Sequence, residues 1–103
     1  MPKALHINAK DNIAVCTSAV VTGDEVEILE PDGSRGSVTA TTDVAFCNKI
    51  ALRDIAQGED IVKYGEIIGK ATMAIAKGSL ANDKNIASQQ RNYADEYILG
   101  RGE

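Results

Sequence analysis

The 103-residue chain has no tryptophan and only four aromatic side chains, Phe46, Tyr64, Tyr93 and Tyr97. Proteins that read single-stranded nucleic acid stack bases on aromatic rings, so that class is disfavoured. Basic clusters are missing as well. The 11 Lys and Arg residues stand singly against 15 Asp and Glu, leaving a net charge of −4. This balance lacks the basic footprint of a nucleic-acid binder and argues against docking on an anionic membrane. No apolar run approaches the roughly 20 residues of a membrane span. The opening MPKALHINAKDN lacks the hydrophobic stretch of a secretory signal. The expected location is therefore the reducing cytoplasm.

Reactive groups are equally sparse. His6 is the one histidine, and it reads as a surface or partly buried strand residue. Cys16 and Cys47 lie outside any CxxC pattern and read as small buried hydrophobes. A Cys–His nucleophile would need a base, an orienting group and an oxyanion hole, and no spacing supplies them. HExxH, GxSxG, P-loop and GxGxxG motifs are all missing. A metal site from this chain alone would combine a single His with unpatterned carboxylates, so no metal or cofactor is expected in the chain itself. No catalytic residue is assigned.

What the chain does have is small and β-branched residues, within a hydrophobic content of 44%. Its length fits one modest core. EVEIL (25–29) alternates cleanly, with Val26 and Ile28 on one face and Glu25 and Glu27 on the other. EPDGSRG (30–36) is turn chemistry, so 25–46 is expected to form a hairpin. DIVKYGEIIGKATMAI (60–75) is strand-like but interrupted by Gly65 and Gly69, which suggests bends or bulges. The helical signal is weak: one or two turns over 48–57, and a short helix over 88–99 with Ser88 as N-cap. A docking arm using Tyr93, Tyr97, Ile98 and Leu99 is equally allowed there. The expected class is mostly β with one or two short helices.

One internal pattern recurs. AVVTGDEVEI (19–28), DIAQGEDIVK (54–63) and AIAKGSLAND (74–83) each place an apolar residue, two spacers and a glycine before an extended run. Gly23, Gly58 and Gly78 are expected to take positive φ and feed new strands. The spacings are unequal, so this is one turn type reused rather than a solenoid.

Two polar groups remain, Asn48–Lys49 and Asn82, Asp83, Lys84 and Asn85. Were 82–85 extended, Asn82 and Lys84 would share a face. An ammonium beside an amide suits a hydroxy acid, pairing with its carboxylate and hydrogen-bonding its hydroxyls. A solvated strand end is the simpler reading.

KDNIAV (10–15) and NKIALRDIAQGEDIVKYGEIIGKATMAIAKG (48–78) strongly resemble the small SAF-type domain of the altronate/galactarate dehydratase family. The resemblance covers about 3–86, implying a SAF-like domain over 1–86 followed by a helix or docking arm over 87–103. It implies a compact β-clip fold with bent hairpins. It also implies a carbon–oxygen lyase: the proton α to the carboxylate is removed and the β-hydroxyl is expelled, giving a 2-keto-3-deoxy acid. In the family this small domain is either fused ahead of a large catalytic domain or made as a separate small subunit; the resemblance implies the latter here, with a large subunit that would carry the catalytic machinery and a divalent metal, iron being one candidate. The small one would help form the site for a hexonate or hexarate. A homo-oligomer is compatible with this picture. The family includes a sulfo-lyase, so a different leaving group is a further alternative, as is a non-enzymatic carbohydrate-binding or assembly module.

The departures from the family pattern are specific. Where the family usually has Gly-His-Lys, this chain has Cys47-Asn48-Lys49. Where it has a histidine-rich strand, Leu80, Asn82 and Lys84 replace the histidines, while Lys49, Gly78 and Asn85 are kept. The resemblance thus makes Asn48, Lys49, Asn82, Lys84 and Asn85 the candidate substrate-binding residues, acting by contact rather than proton transfer. Neither an amide nor an ordinary lysine replaces imidazole as an acid–base group near neutral pH.

Overall fold

The computed structural model describes residues 1–88, which form nine strands and no helix. Strands β1 (Lys3–Leu5), β2 (Ile13–Cys16), β3 (Glu25–Leu29), β4 (Arg35–Thr39), β5 (Lys49–Ala51) and β8 (Leu80–Ala81) build a six-stranded sheet in the order β4-β3-β1-β2-β5-β8. Within it β1 and β3 run parallel and the other pairs antiparallel. Strands β6 (Asp60–Lys63), β7 (Glu66–Ala71) and β9 (Ile86–Ser88) form a second sheet in the order β6-β7-β9. The expected mostly-β, clip-like architecture is the one observed.

Alternation explains the two cores. In β3, Val26 and Ile28 are buried while Glu25 and Leu29 are exposed. Val26, Ile28, Val38 and Ile50 pack into one core with Ala14 and Cys16. Ile13, Ala51, Ile55, Ile61 and Ile75 pack into the other. Strands β2 and β5 contribute to both, because successive residues point to opposite faces. Such strands are apolar throughout, as IAVC and KIA nearly are.

The recurring glycine turn is present four times, not three. It occupies Val21–Asp24, Ala45–Asn48, Ala56–Glu59 and Ala76–Ser79. In each turn the N–H of the fourth residue donates to the carbonyl of the first at 2.9–3.0 Å. Each third residue has positive φ, as a type II turn requires: Gly23 (+93°), Cys47 (+71°), Gly58 (+85°) and Gly78 (+87°). Each third N–H also donates to a small buried strand-end residue, Ala40, Cys16, Ala71 or Ala51 respectively. Those residues return an N–H to the fourth carbonyl. The turns associate in pairs through the antiparallel bridges Val20↔Val44 and Ile55↔Ile75.

Several expectations are corrected. Residues 48–57 are not helical: Lys49–Ala51 is a strand, and a bridge and turn follow. Its apolar spacing arises because Ile50 and Ala51 face different cores. Ser88, expected to cap a helix, pairs with Gly69 in β9. The remainder of the expected helix or docking arm lies outside the described residues. Cys16 is buried, as expected, but Cys47 is exposed because it sits in a turn. The two glycine interruptions are a hairpin tip, where Tyr64 (+56°) and Gly65 (+75°) both have positive φ, and a bulge beside Gly69.

The sheets are joined by buried polar residues of the KDNIAV stretch. The Asn12 side chain donates to the Asp60 carbonyl at 2.8 Å and accepts from the Val62 N–H at 2.9 Å. It behaves as one more strand partner for β6. Asp11 accepts from the Gly65 N–H at 2.8 Å, fixing the hairpin tip. No helix among the described residues is long and apolar enough to cross a membrane.

Candidate functional site

The β5–β8 ladder brings the two candidate groups together. Lys49 lies opposite Ala81 on one side and Val15 on the other. The 82–85 turn begins at the next residue after Ala81. Lys49 therefore starts a strand immediately beside this turn, although Lys49 and Ala81 are 32 positions apart in the chain.

The four residues after β8 are not an extended strand, so the shared face of Asn82 and Lys84 does not arise. The Asn85 N–H donates to the Asn82 carbonyl at 3.1 Å, closing the turn. The Asn85 side chain accepts from the Asn82 N–H and donates to the Leu80 carbonyl, each at 2.8 Å. The Asn82 side-chain oxygen accepts from the Lys84 N–H at 3.0 Å. Asparagine favours this arrangement because its amide mimics a peptide group. Both side chains thus organise backbone, and Lys84 projects at the exposed part of the turn.

Lys49 is different. It is partly buried, and burial, followed by the positive charge of Lys63, holds its ammonium below the usual lysine range. Burial disfavours a charged amine, and a neighbouring like charge adds to that cost. None of the five ion pairs among the described residues includes Lys49. Asn48 precedes it, partly buried, with its carbonyl accepting from the Cys16 N–H at 2.9 Å. Cys47 completes that turn in a left-handed conformation that a side chain adopts only at a cost.

Two clefts lie elsewhere. One, of about 350 Å³, is bordered by Glu25, Thr39, Thr41 and Lys77. The other, of about 220 Å³, is bordered by His6, Glu30, Arg53 and Lys77. Neither is lined by any of the five candidate residues, and some of their polar groups already have partners. Thr39 donates to Glu25 at 2.8 Å, and Arg53 pairs with Glu59. The cleft geometry and the lysine electrostatics therefore disagree. Lys77, which borders both clefts, is the cleft cation without an ion pair among the described residues, and it is exposed where Lys49 is partly buried.

His6 is one of the cleft groups with partners. Its Nε2 lies 2.8 Å from the Asp11 carbonyl and its Nδ1 lies 2.6 Å from Glu30. A carbonyl only accepts, so Nε2 donates. An ionised Glu30 also only accepts, so the pair requires an imidazolium. Burial pushes the His6 pKa down, but the Glu30 and Asp11 hydrogen bonds and charges outweigh it, and the net shift is upward. Cys16 is pushed up to about 11 by burial, an inert thiol.

Sequence reasoning missed Lys63, which acts on Lys49 from β6. No local signal marks it, since it is a single lysine in a strand-like run.

The chain matches the family model for the altronate/galactarate dehydratase SAF domain over residues 2–89. It is 40% identical to altronate dehydratase of Escherichia coli (strain K12) over 74 residues, covering 72% of this chain and 14% of that protein. The chain thus corresponds to a small part of that relative's length.

Proposed function

The chain belongs to the altronate/galactarate dehydratase SAF-domain family, and on that premise we propose that it is the small subunit of a two-component sugar-acid dehydratase. It helps form the substrate site of a separate large catalytic subunit. The observation that carries this reading is Lys49: a partly buried lysine without an ion pair among the described residues, beside the Asn82–Asn85 turn. A partly desolvated ammonium in a net-acidic domain suits the carboxylate of a hydroxy acid. Asn48 adds hydrogen-bonding capacity for hydroxyls.

The chain's candidate residues do not fit a divalent metal. Ammonium groups repel a cation, amides are weak ligands, and no His, Cys, Asp and Glu grouping among the described residues is suited to one. The metal of the reaction is assigned to the large subunit, and no step is routed through this chain's own donors. The role of Lys49 is to bind and orient substrate, in the cytoplasm.

Co-expression with the adjacent open reading frame, affinity capture through this chain and a screen of hexonates and hexarates tests the reading. A stable complex whose turnover depends on this chain is expected. Equal turnover by the large subunit alone, with no association, overturns it. A second reading, an assembly or carbohydrate-binding module, draws support from Asn82 and Asn85, whose amides are used on the backbone. It predicts association with no effect on rate.

A further inference from the structure

The smaller of the two clefts owes its shape to a missing side chain. Gly36 pairs with the buried Ile28 across the β3–β4 ladder and shares its face of β4 with the buried Val38. A Cβ on Gly36 would stand 3.3 Å from Glu30 Oε2. With glycine at that position a cleft of about 220 Å³ remains, and Ile28, Val38 and Leu52 give it an apolar surface. The volume is below the roughly 300–1,000 Å³ of sites for drug-sized ligands, so it suits a smaller molecule.

Three hydrogen-bond donors border this surface. Asp54 ties two of them together: the Lys77 N–H donates to Asp54 Oδ1 at 2.9 Å, and Arg53 Nη1 donates to the Asp54 carbonyl at 3.1 Å. Arg53 also pairs with Glu59, which fixes its plane. A guanidinium has more N–H donors than these contacts use. The Lys77 ammonium has no ion pair among the described residues. Other lysines share that property; Lys77 differs in bordering a cleft beside a fixed arginine and an open strand edge. That edge is β4, the outermost strand of its sheet. The Glu30 N–H donates to the Ser34 carbonyl and the Ala40 N–H to the Asp24 carbonyl, so the ladder bonds fall at even-numbered positions. The Ser37 N–H therefore points away from β3, and Ser37 borders the cleft.

The acidic groups of the lining set the rest of the chemistry. Glu30 Oε1 is taken by His6, while Oε2 accepts no hydrogen bond among the described residues. Both Asp11 oxygens accept backbone N–H groups, from Asn8 and Gly65. Both His6 nitrogens are engaged. Glu30 Oε2 can accept from a hydroxyl, whereas the Glu30 and Asp11 charges repel a second carboxylate. An extended peptide fits poorly. The Gly78 carbonyl accepts from the Thr41 N–H, and the Gly78 backbone abuts the Thr39 carbonyl, so the turn closes the edge beyond Ser37. Too little edge is left for strand addition.

We infer that this cleft is a binding site for a small hydroxy monocarboxylate. Its carboxylate takes the Lys77 ammonium, the Arg53 guanidinium and the Ser37 N–H. A hydroxyl donates to Glu30 Oε2, and the C–H edge of the carbon chain rests on Ile28, Val38 and Leu52. The inference does not depend on the proposed function, because none of these residues belongs to the Lys49 group.

The test titrates the full ¹⁵N-labelled chain with three probes. Gluconate is a polyhydroxy monocarboxylate, sorbitol has the same carbon skeleton without a carboxylate, and glucarate carries a second one. Gluconate is expected to shift the Gly36 and Ser37 amide signals and the Arg53 Nε signal. Sorbitol should shift none of them, and glucarate should bind several-fold more weakly. Gly36 is not a positive-φ glycine, so Gly36→Val fills the cleft on ordinary strand backbone. It should weaken gluconate binding about tenfold or more while the rest of the amide spectrum is kept. Lys77→Met should weaken it about tenfold, as loss of a charge-assisted contact does, and Lys77→Arg should restore most of it. The inference fails if gluconate leaves the Gly36, Ser37 and Arg53 signals unmoved, or binds a folded Gly36→Val or Lys77→Met as tightly as the unaltered chain. Shifts confined to 47–49 and 82–85 also overturn it and leave the proposed function standing. A capped, glutamate-containing tetrapeptide that moves the Arg35 and Ser37 amides where gluconate does not would make the edge a peptide site, and the inference fails.

Discussion

The turn pair on Val20 and Val44 and the pair on Ile55 and Ile75 share the same backbone hydrogen bonds. Even their side-chain caps correspond. Asp43 accepts from the Thr22 N–H in the first pair, and Asp54 accepts from the Lys77 N–H in the second. They differ at the left-handed positions. The second pair uses glycine twice, whereas the first uses Gly23 and Cys47. The difference teaches that this frame is held by backbone bonds and small strand-end residues, and tolerates a strained side chain at one corner. That corner is where Asn48 and Lys49 begin, so the irregular turn and the candidate site coincide.

The sharpest way to break the equivalence is to compare glycines within the second pair. A Cβ on Gly78 would lie 2.1 Å from the Thr39 carbonyl oxygen, whereas one on Gly58 meets nothing within 4 Å. Gly58→Ala should cost about 1–2 kcal/mol, the price of left-handed φ alone. Gly78→Ala adds a backbone clash and should cost about 3 kcal/mol or more. Urea unfolding of both variants measures the gap. Equal losses would show that the close approach to β4 contributes nothing.

Next in size is the joint that carries one turn pair to the other. Asn12→Ala strands the part-buried Asp60 carbonyl and Val62 N–H, for an expected loss of about 2 kcal/mol. Amide exchange should quicken in β6 before it does in β3. Uniform acceleration would mean that the two sheets do not separate independently.

Cys47→Gly makes the first pair resemble the second. Relief of the left-handed strain should stabilise the fold by about 0.5–1 kcal/mol, after the entropy cost of a glycine. A destabilised variant would mean that the Cys47 side chain contributes contacts exceeding its strain.

The smallest effect is pH-dependent and concerns the His6–Glu30 joint. The folded pKa of His6 is raised above its ordinary 6.5. Its contribution is therefore complete below about 6.5 and is lost as pH rises through the higher folded value. Stability of the native chain should decline over that interval, and His6→Gln should flatten the profile. A profile unchanged by the substitution would show that His6 does not titrate with folding.

Local side chains determined β2, β3, three of the four turns and the β3–β4 hairpin, which was expected over 25–46 and pairs only over 25–39. Alternation in EVEIL and glycine before a polar residue act within a few residues, so they are legible in order along the chain. The fourth turn was not, because Cys47 carries no sign of positive φ. Its neighbours Val44-Ala45-Phe46 match Ile55-Ala56-Gln57, and that likeness was the available signal. Reading 82–85 as extended failed because Asn82 and Asn85 turn the chain through bonds between their amides and nearby backbone groups. Only the tertiary structure decided that Lys49 adjoins this turn and feels the positive charge of Lys63. Those encounters depend on ladder register and on which face of a strand meets the second core, and both are settled by pairing between distant segments.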